Sequence, residues 1–112
     1  MKKYKFNRKK GSRQAFIKGL AHSLIMREKI ETTTTRAKAI RPVVERLVTI
    51  SKGGRVVDLR TLLAKLPKQS AERLYHDIAP RYKDRKGGFT RVIKGSKTRK
   101  RDGAELATIE FV

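Results

Sequence analysis

The sequence contains no cysteine. That excludes disulfides and thiolate metal sites, and it fits a reducing, cytoplasmic setting. Acidic residues are scarce, with 10 Asp+Glu set against 30 Lys+Arg for a formal net charge of +20 over 112 residues. Aromatics are few as well, at four Phe and three Tyr, which limits the surfaces on which bases stack. No apolar run approaches the ~20 residues that span a bilayer, so no membrane association is expected. The opening "MKKYKFNRKKG" is basic without the apolar core of a signal peptide. The two histidines, His22 and His76, fall in no HExxH or similar ligand pattern, and neither a P-loop nor a dinucleotide fingerprint is found. No carboxylate pair stands out, since Asp58, Asp77 and Asp84 each lie among basic residues. The expectation is a protein that is not an enzyme and that needs no cofactor, metal or small-molecule substrate.

What the chain does have is positive charge, unevenly placed. Residues 1–13 hold seven basic residues and no acid, and residues 79–103 hold ten against two. Residues 53–78 hold five against three, close to an ordinary protein surface. Such a chain repels itself when alone, and a polyanion is its natural partner; nucleic acid is the obvious one. Hydrophobic residues still make up 38% and fall in periodic runs, enough for one modest core.

The periodicity predicts an α+β domain over 12–112, with about four helices packed on a small sheet of about three strands, preceded by a basic arm at 1–11. Ser12 is a plausible N-cap for a helix at 12–27, where Phe16, Leu20 and Leu24 recur at four-residue spacing beside Ile17, Ala21 and Ile25. "EKIETTTT" changes period and suits a short strand, with Thr34 or Thr35 capping the next helix. That helix aligns Ile40, Val44, Leu47 and Val48. Pro42 costs about 3 kcal/mol in a helix interior, so either its first turn is distorted or the regular helix begins near Pro42. Gly53-Gly54 ends it. A third stripe carries Val56, Leu59, Leu62, Leu63 and Leu66 up to Pro67. A fourth, from about Ser70, carries Ala71, Leu74, Tyr75 and Ile78 and stops at Pro80. "FTRVIK" and "LATIEFV" are strands joined by the basic loop "GSKTRKRDG". No internal repeat is present.

The candidate RNA contacts follow the charge. In the arm they are Lys2, Lys3, Lys5, Arg8, Lys9 and Lys10. In the helices they are Arg13, Lys18 and Arg36. Around the paired glycines they are Arg81, Tyr82, Arg85, Lys86, Gly87 and Gly88. On the strand and loop beyond they are Arg91, Lys94, Lys97, Arg99, Lys100 and Arg101. With Lys and Arg dominant, contacts fall mainly on phosphate and sugar. Gly87-Gly88 supplies a turn into the strand, and its bare backbone also suits approach to a phosphate. Phe89 reads as core, whereas Tyr82 divides evenly between core and base stacking. Arg91 is either an RNA contact or a strand partner of Glu105 or Glu110. The Thr run reads as strand end and cap, with its hydroxyls also able to meet phosphate oxygens.

Three stretches carry a more specific signal: "SRQAFIKGLAHSLIMREKIETTTTRAKAIRPVVERLVTISK" at 12–52, "APRYKDRKGGFTRVIK" at 79–94, and the closing "AELATIEFV". In order and spacing the chain resembles the bacterial ribosomal protein L17 family across nearly its full length. The resemblance implies helices covering a small sheet. It also implies binding to 23S ribosomal RNA beside neighbouring large-subunit proteins, on the solvent side near the tunnel exit. The opening departs from the family's Arg- and His-rich pattern, being Lys-rich with Tyr4 and Phe6. Charge alone serves a DNA-compacting architectural protein equally well, and the resemblance favours the ribosomal reading.

Overall fold

A computed structural model describes residues 10–98 and 103–112. Its elements run α1 (Lys10–Arg27), β1 (Lys29–Thr33), α2 (Thr34–Ser51), α3 (Val56–Lys65), α4 (Lys68–Arg73), β2 (Thr90–Thr98) and β3 (Glu105–Phe111). The strands form one antiparallel sheet in the order β1-β3-β2. The fold is α+β, as the periodicity predicts.

The central helix is α2, which packs against all three strands and against α1 and α3. Its apolar stripe explains this: Ile40, Val44 and Val48 are wholly buried, joined by Leu24 and Ile25 from α1, Leu62 from α3, and Ile109 from β3. Period-two alternation places Ala107, Ile109 and Phe111 inward on β3. The register pairs Ile30 and Val92 with Ile109 from either side.

The local boundaries differ from expectation in five places. α1 opens at Lys10, so Lys10 and Gly11 belong to the helix rather than to the arm; Lys2, Lys3, Lys5, Arg8 and Lys9 lie outside the described residues. The cap of α2 is Thr33, whose hydroxyl accepts from the Arg36 amide at 3.3 Å. Pro42 neither ends nor delays α2, which runs unbroken from Thr34; burial of the stripe on both sides of it offsets the lost bond. Pro80 does not stop the fourth helix. The chain passes from α4 into a π turn at Leu74–Ile78 and a 3-10 turn at Ala79–Tyr82, where Pro80 sits in the first turn and costs no backbone bond. Finally, β2 runs through "GSKT" to Thr98, so Lys94 and Lys97 are strand residues. Lys94 pairs with Ala107 and Thr98 with Glu105, so three residues of β2 lie between these pairs against one of β3, a register shift between Lys94 and Thr98. Within α3 the expected stripe is split: Leu62 and Leu66 are buried, while Val56 and Leu63 are exposed.

The junction between α1 and β1 is made by Glu28 rather than by a glycine. Its φ of 64° is left-handed, a conformation costing a non-glycine residue about 1–2 kcal/mol. Its amide donates to the Leu24 carbonyl at 2.6 Å, closing the helix. Its carboxylate takes Arg73 at 2.7 Å and also Arg81, and these pairs offset the strain.

Candidate nucleic-acid interface

Two zones concentrate described cations among the expected contacts. The first is the segment from Arg81 to Lys94. Tyr82 is a core residue, 5% exposed, with its ring 5.3 Å from Phe89 and 6.4 Å from Phe111. Its hydroxyl donates to the Val112 carbonyl at 2.7 Å, and burial pushes its phenol up from the ordinary value. That overturns Tyr82 as a stacking platform, and Phe89, 1% exposed, is core as expected. Arg81 is engaged internally: it pairs with Glu28, and at 3.4 Å with Asp77. The Glu28 hydrogen bond raises the Arg81 guanidinium well above its ordinary value, and Arg81 in turn holds the Glu28 carboxyl below its own. Arg91 donates to Glu110 at 2.9 Å, directly across from it in register. These two arginines are therefore partly neutralised within the fold.

The paired glycines form the expected turn, with Gly88 at φ 64°. Two side chains from α2 and its C-cap, with Arg85 of the segment itself, fix this turn. Glu45 of α2 accepts from the amides of Phe89 at 3.1 Å and Thr90 at 2.7 Å, and from the Thr90 hydroxyl at 2.8 Å. Lys52 lies 5.0 Å over the Phe89 ring and donates to the Arg85 carbonyl. Arg85 donates to the Gly87 carbonyl at 3.1 Å, so its guanidinium is held along the turn. The result is a braced loop whose exposed Lys83, Arg85 and Lys86 point away from the core. Pro80, Lys83, Arg85 and Val112 rim a recess of about 500 Å³ beside it. Lys94 is exposed on β2, while Arg99, Lys100 and Arg101 lie outside the described residues.

The second zone is a groove of about 790 Å³ between α1, α2 and the end of α3. Arg13, Lys18, Lys38, Arg46 and Lys65 rim it, and Ile17, Val43 and Ile50 line its floor. No carboxylate is among its lining residues. Helical spacing builds it: 13, 17 and 21 share a face of α1, and 38, 42, 46 and 50 a face of α2. Arg13 and Lys18 were expected contacts. Lys38, Arg46 and Lys65, not among the expected contacts, line the groove as well, and the four-residue step from Lys38 through Pro42 to Arg46 is the sequence signal for two of them. Arg36 lies apart, 5.0 Å over the Phe16 ring.

No group of three or more His, Asp or Glu is placed to hold a metal ion among the described residues, and no described helix is long and apolar enough to cross a membrane. His22 has a buried Nδ1 without a partner, and the exposed His76 meets only the edge of Tyr75, at 4.9 Å.

Comparison with known proteins gives this geometry its context. Residues 16–112 match the family model described as ribosomal protein L17. The chain is 43% identical over 113 residues to "Large ribosomal subunit protein bL17" of a Hydrogenobaculum species, covering 100% of this chain and 96% of that protein. It is 46% identical over 108 residues to the protein of that name from a Sulfurihydrogenibium species, covering 96% and 89%. The corresponding protein of Persephonella marina is 47% identical over 109 residues, covering 96% and 88%. Matched from α1 to the last strand, the chain belongs to the ribosomal protein L17 family.

Proposed function

We propose that this chain is a structural constituent of the large ribosomal subunit. It binds 23S ribosomal RNA mainly through phosphate and sugar, supports subunit assembly and translation, and carries out no chemistry. Family membership is the observation that carries the reading. The charge distribution supports it: the described residues carry a braced basic turn and a basic groove, and the Lys-rich stretch lies ahead of α1 in the sequence. Expected backbone contacts are the exposed cations Lys18, Arg85, Lys86 and Lys94, with Lys97 near the end of β2 and Arg99, Lys100 and Arg101 following it in sequence. Neighbouring subunit proteins are its other partners.

Gradient sedimentation of a cell lysate tests this. The chain should travel with large subunits, survive a moderate salt wash, and be released when the ribosomal RNA is digested. Migration with the nucleoid instead, released by DNA digestion, would replace this reading with that of a DNA-compacting protein.

A further inference from the structure

The geometry points to the groove between α1, α2 and α3 as a receptor for an unpaired nucleobase of RNA, whose flanking phosphates lie on the cationic rim. This rests on the RNA-binding reading above and adds a contact that reads a base rather than the backbone.

The argument starts from a mismatch. A phosphate gains from Lys18, Lys38, Arg46 and Lys65, none of which forms an ion pair among the described residues. It gains nothing from the apolar floor beneath them, where an unpaired charge is costly. A nucleobase has the opposite needs. Its faces are apolar, its edge is polar, and it travels between two phosphates. The groove's volume, about 790 Å³, falls in the roughly 300–1,000 Å³ range of clefts that bury a small-molecule-sized group. A polar partner for the base edge is also present. Pro42 has no N–H, so the Lys38 carbonyl lacks its helical donor, and both residues line the groove. That carbonyl suits the exocyclic amine of adenine, which uracil does not have. An apolar peptide would fill the floor too. Four cations without an ion pair among the described residues favour the polynucleotide, which brings an anion with every residue.

The test uses purified full-length protein and three RNA pentamers: adenylate, uridylate, and an abasic pentamer of the same backbone. All carry equal phosphates, so their affinity ratios cancel the electrostatic contribution. The adenylate pentamer should bind about tenfold tighter than the abasic one, a contribution at the low end for base contacts. Pro42→Glu places an acid in the groove lining at an exposed helical position and should abolish that difference. Pro42→Ala restores the backbone donor and should erase the preference for adenylate over uridylate. Equal binding of adenylate and abasic pentamers by the native protein would overturn the proposal, as would a base-dependent difference that survives Pro42→Glu.

Should Pro42→Glu disturb the fold, a photo-reactive phenylalanine at the exposed Gln14 gives a second measurement in assembled large subunits. An adduct to an unpaired nucleotide supports the proposal; an adduct to protein, or none, overturns it. Absence of the chain from large subunits would instead overturn the underlying ribosomal reading.

Discussion

The carboxylate of Glu45 is expected to hold the start of β2 against α2. Glu45→Ala deletes the acceptor of two backbone amides, those of Phe89 and Thr90, and of the Thr90 hydroxyl. Both recipient residues are 1% exposed, so their donors cannot turn to water. An orphaned buried donor costs about 1–3 kcal/mol, which puts two amides at roughly 2–6 kcal/mol. The losses share one acceptor and are not additive, and alanine regains a few tenths as the better helix former. A net loss of about 3–5 kcal/mol follows. Against a total stability of roughly 5–15 kcal/mol that is a large share. At about 4 °C per kcal/mol for a domain of this size, Tm should fall by roughly 12–20 °C. Glu45→Gln keeps one oxygen acceptor and should lose only about 1–2 kcal/mol. Thermal unfolding followed by circular dichroism reads the loss, and hydrogen exchange localises it to the amides of residues 89 and 90. If Glu45→Ala loses under about 1 kcal/mol and those amides stay protected, the brace is not made by this side chain and the reasoning fails.

Other expectations concern the same zone. Tyr82→Phe removes only the hydroxyl that donates to Val112 and should cost about 0.5–1.5 kcal/mol, read as a Tm shift; no shift would mean that this bond is made equally well by water. Arg81, then Arg73, lowers the Glu28 carboxyl below its ordinary value of 4.5, so its stabilising contribution is complete above that value and is lost as pH falls through the lowered one. The Tm gap between native protein and Glu28→Gln should therefore narrow from pH 6 to pH 3, and a gap that stays constant would contradict the assignment. Replacing Lys97, Arg99, Lys100 and Arg101 with Ser should flatten the slope of log affinity against log salt, for ribosomal RNA fragments, by roughly two to four units. Equal slopes would mean that this connection faces away from RNA.

The elements that were legible in the sequence are those whose signal is local. The stripe Ile40, Val44, Leu47 and Val48 declares a buried helix face, and the alternation of Ala107, Ile109 and Phe111 declares a half-buried strand. Misreadings arose where tertiary contacts outweigh local preference. Pro42 sits inside α2 because the helix is buried on both sides of it. Glu28 takes a conformation that favours glycine because arginines 45 and 53 residues away meet its carboxylate. The same distance explains the site. Composition shows how many cations there are, but not that Arg81 and Arg91 are matched internally. Nor does it show that Lys38 and Lys65, on different helices, meet Arg13 at one groove.

The wide turn at Leu74–Ile78 bears on how the chain tolerates a change of length. A π turn closes i to i+5 where an α turn closes i to i+4, so this turn carries one residue more than the α path requires. Deleting a residue elsewhere in a helix rotates everything downstream by about 100° and exchanges buried for exposed positions. Here the surplus absorbs the loss. Removing the exposed His76 would leave Leu74 and Ile78 three positions apart, still on one face, with Tyr82 still against Phe89. In a scan of single-residue deletions through the helices, this turn should be the place where the chain is shortened and still folds.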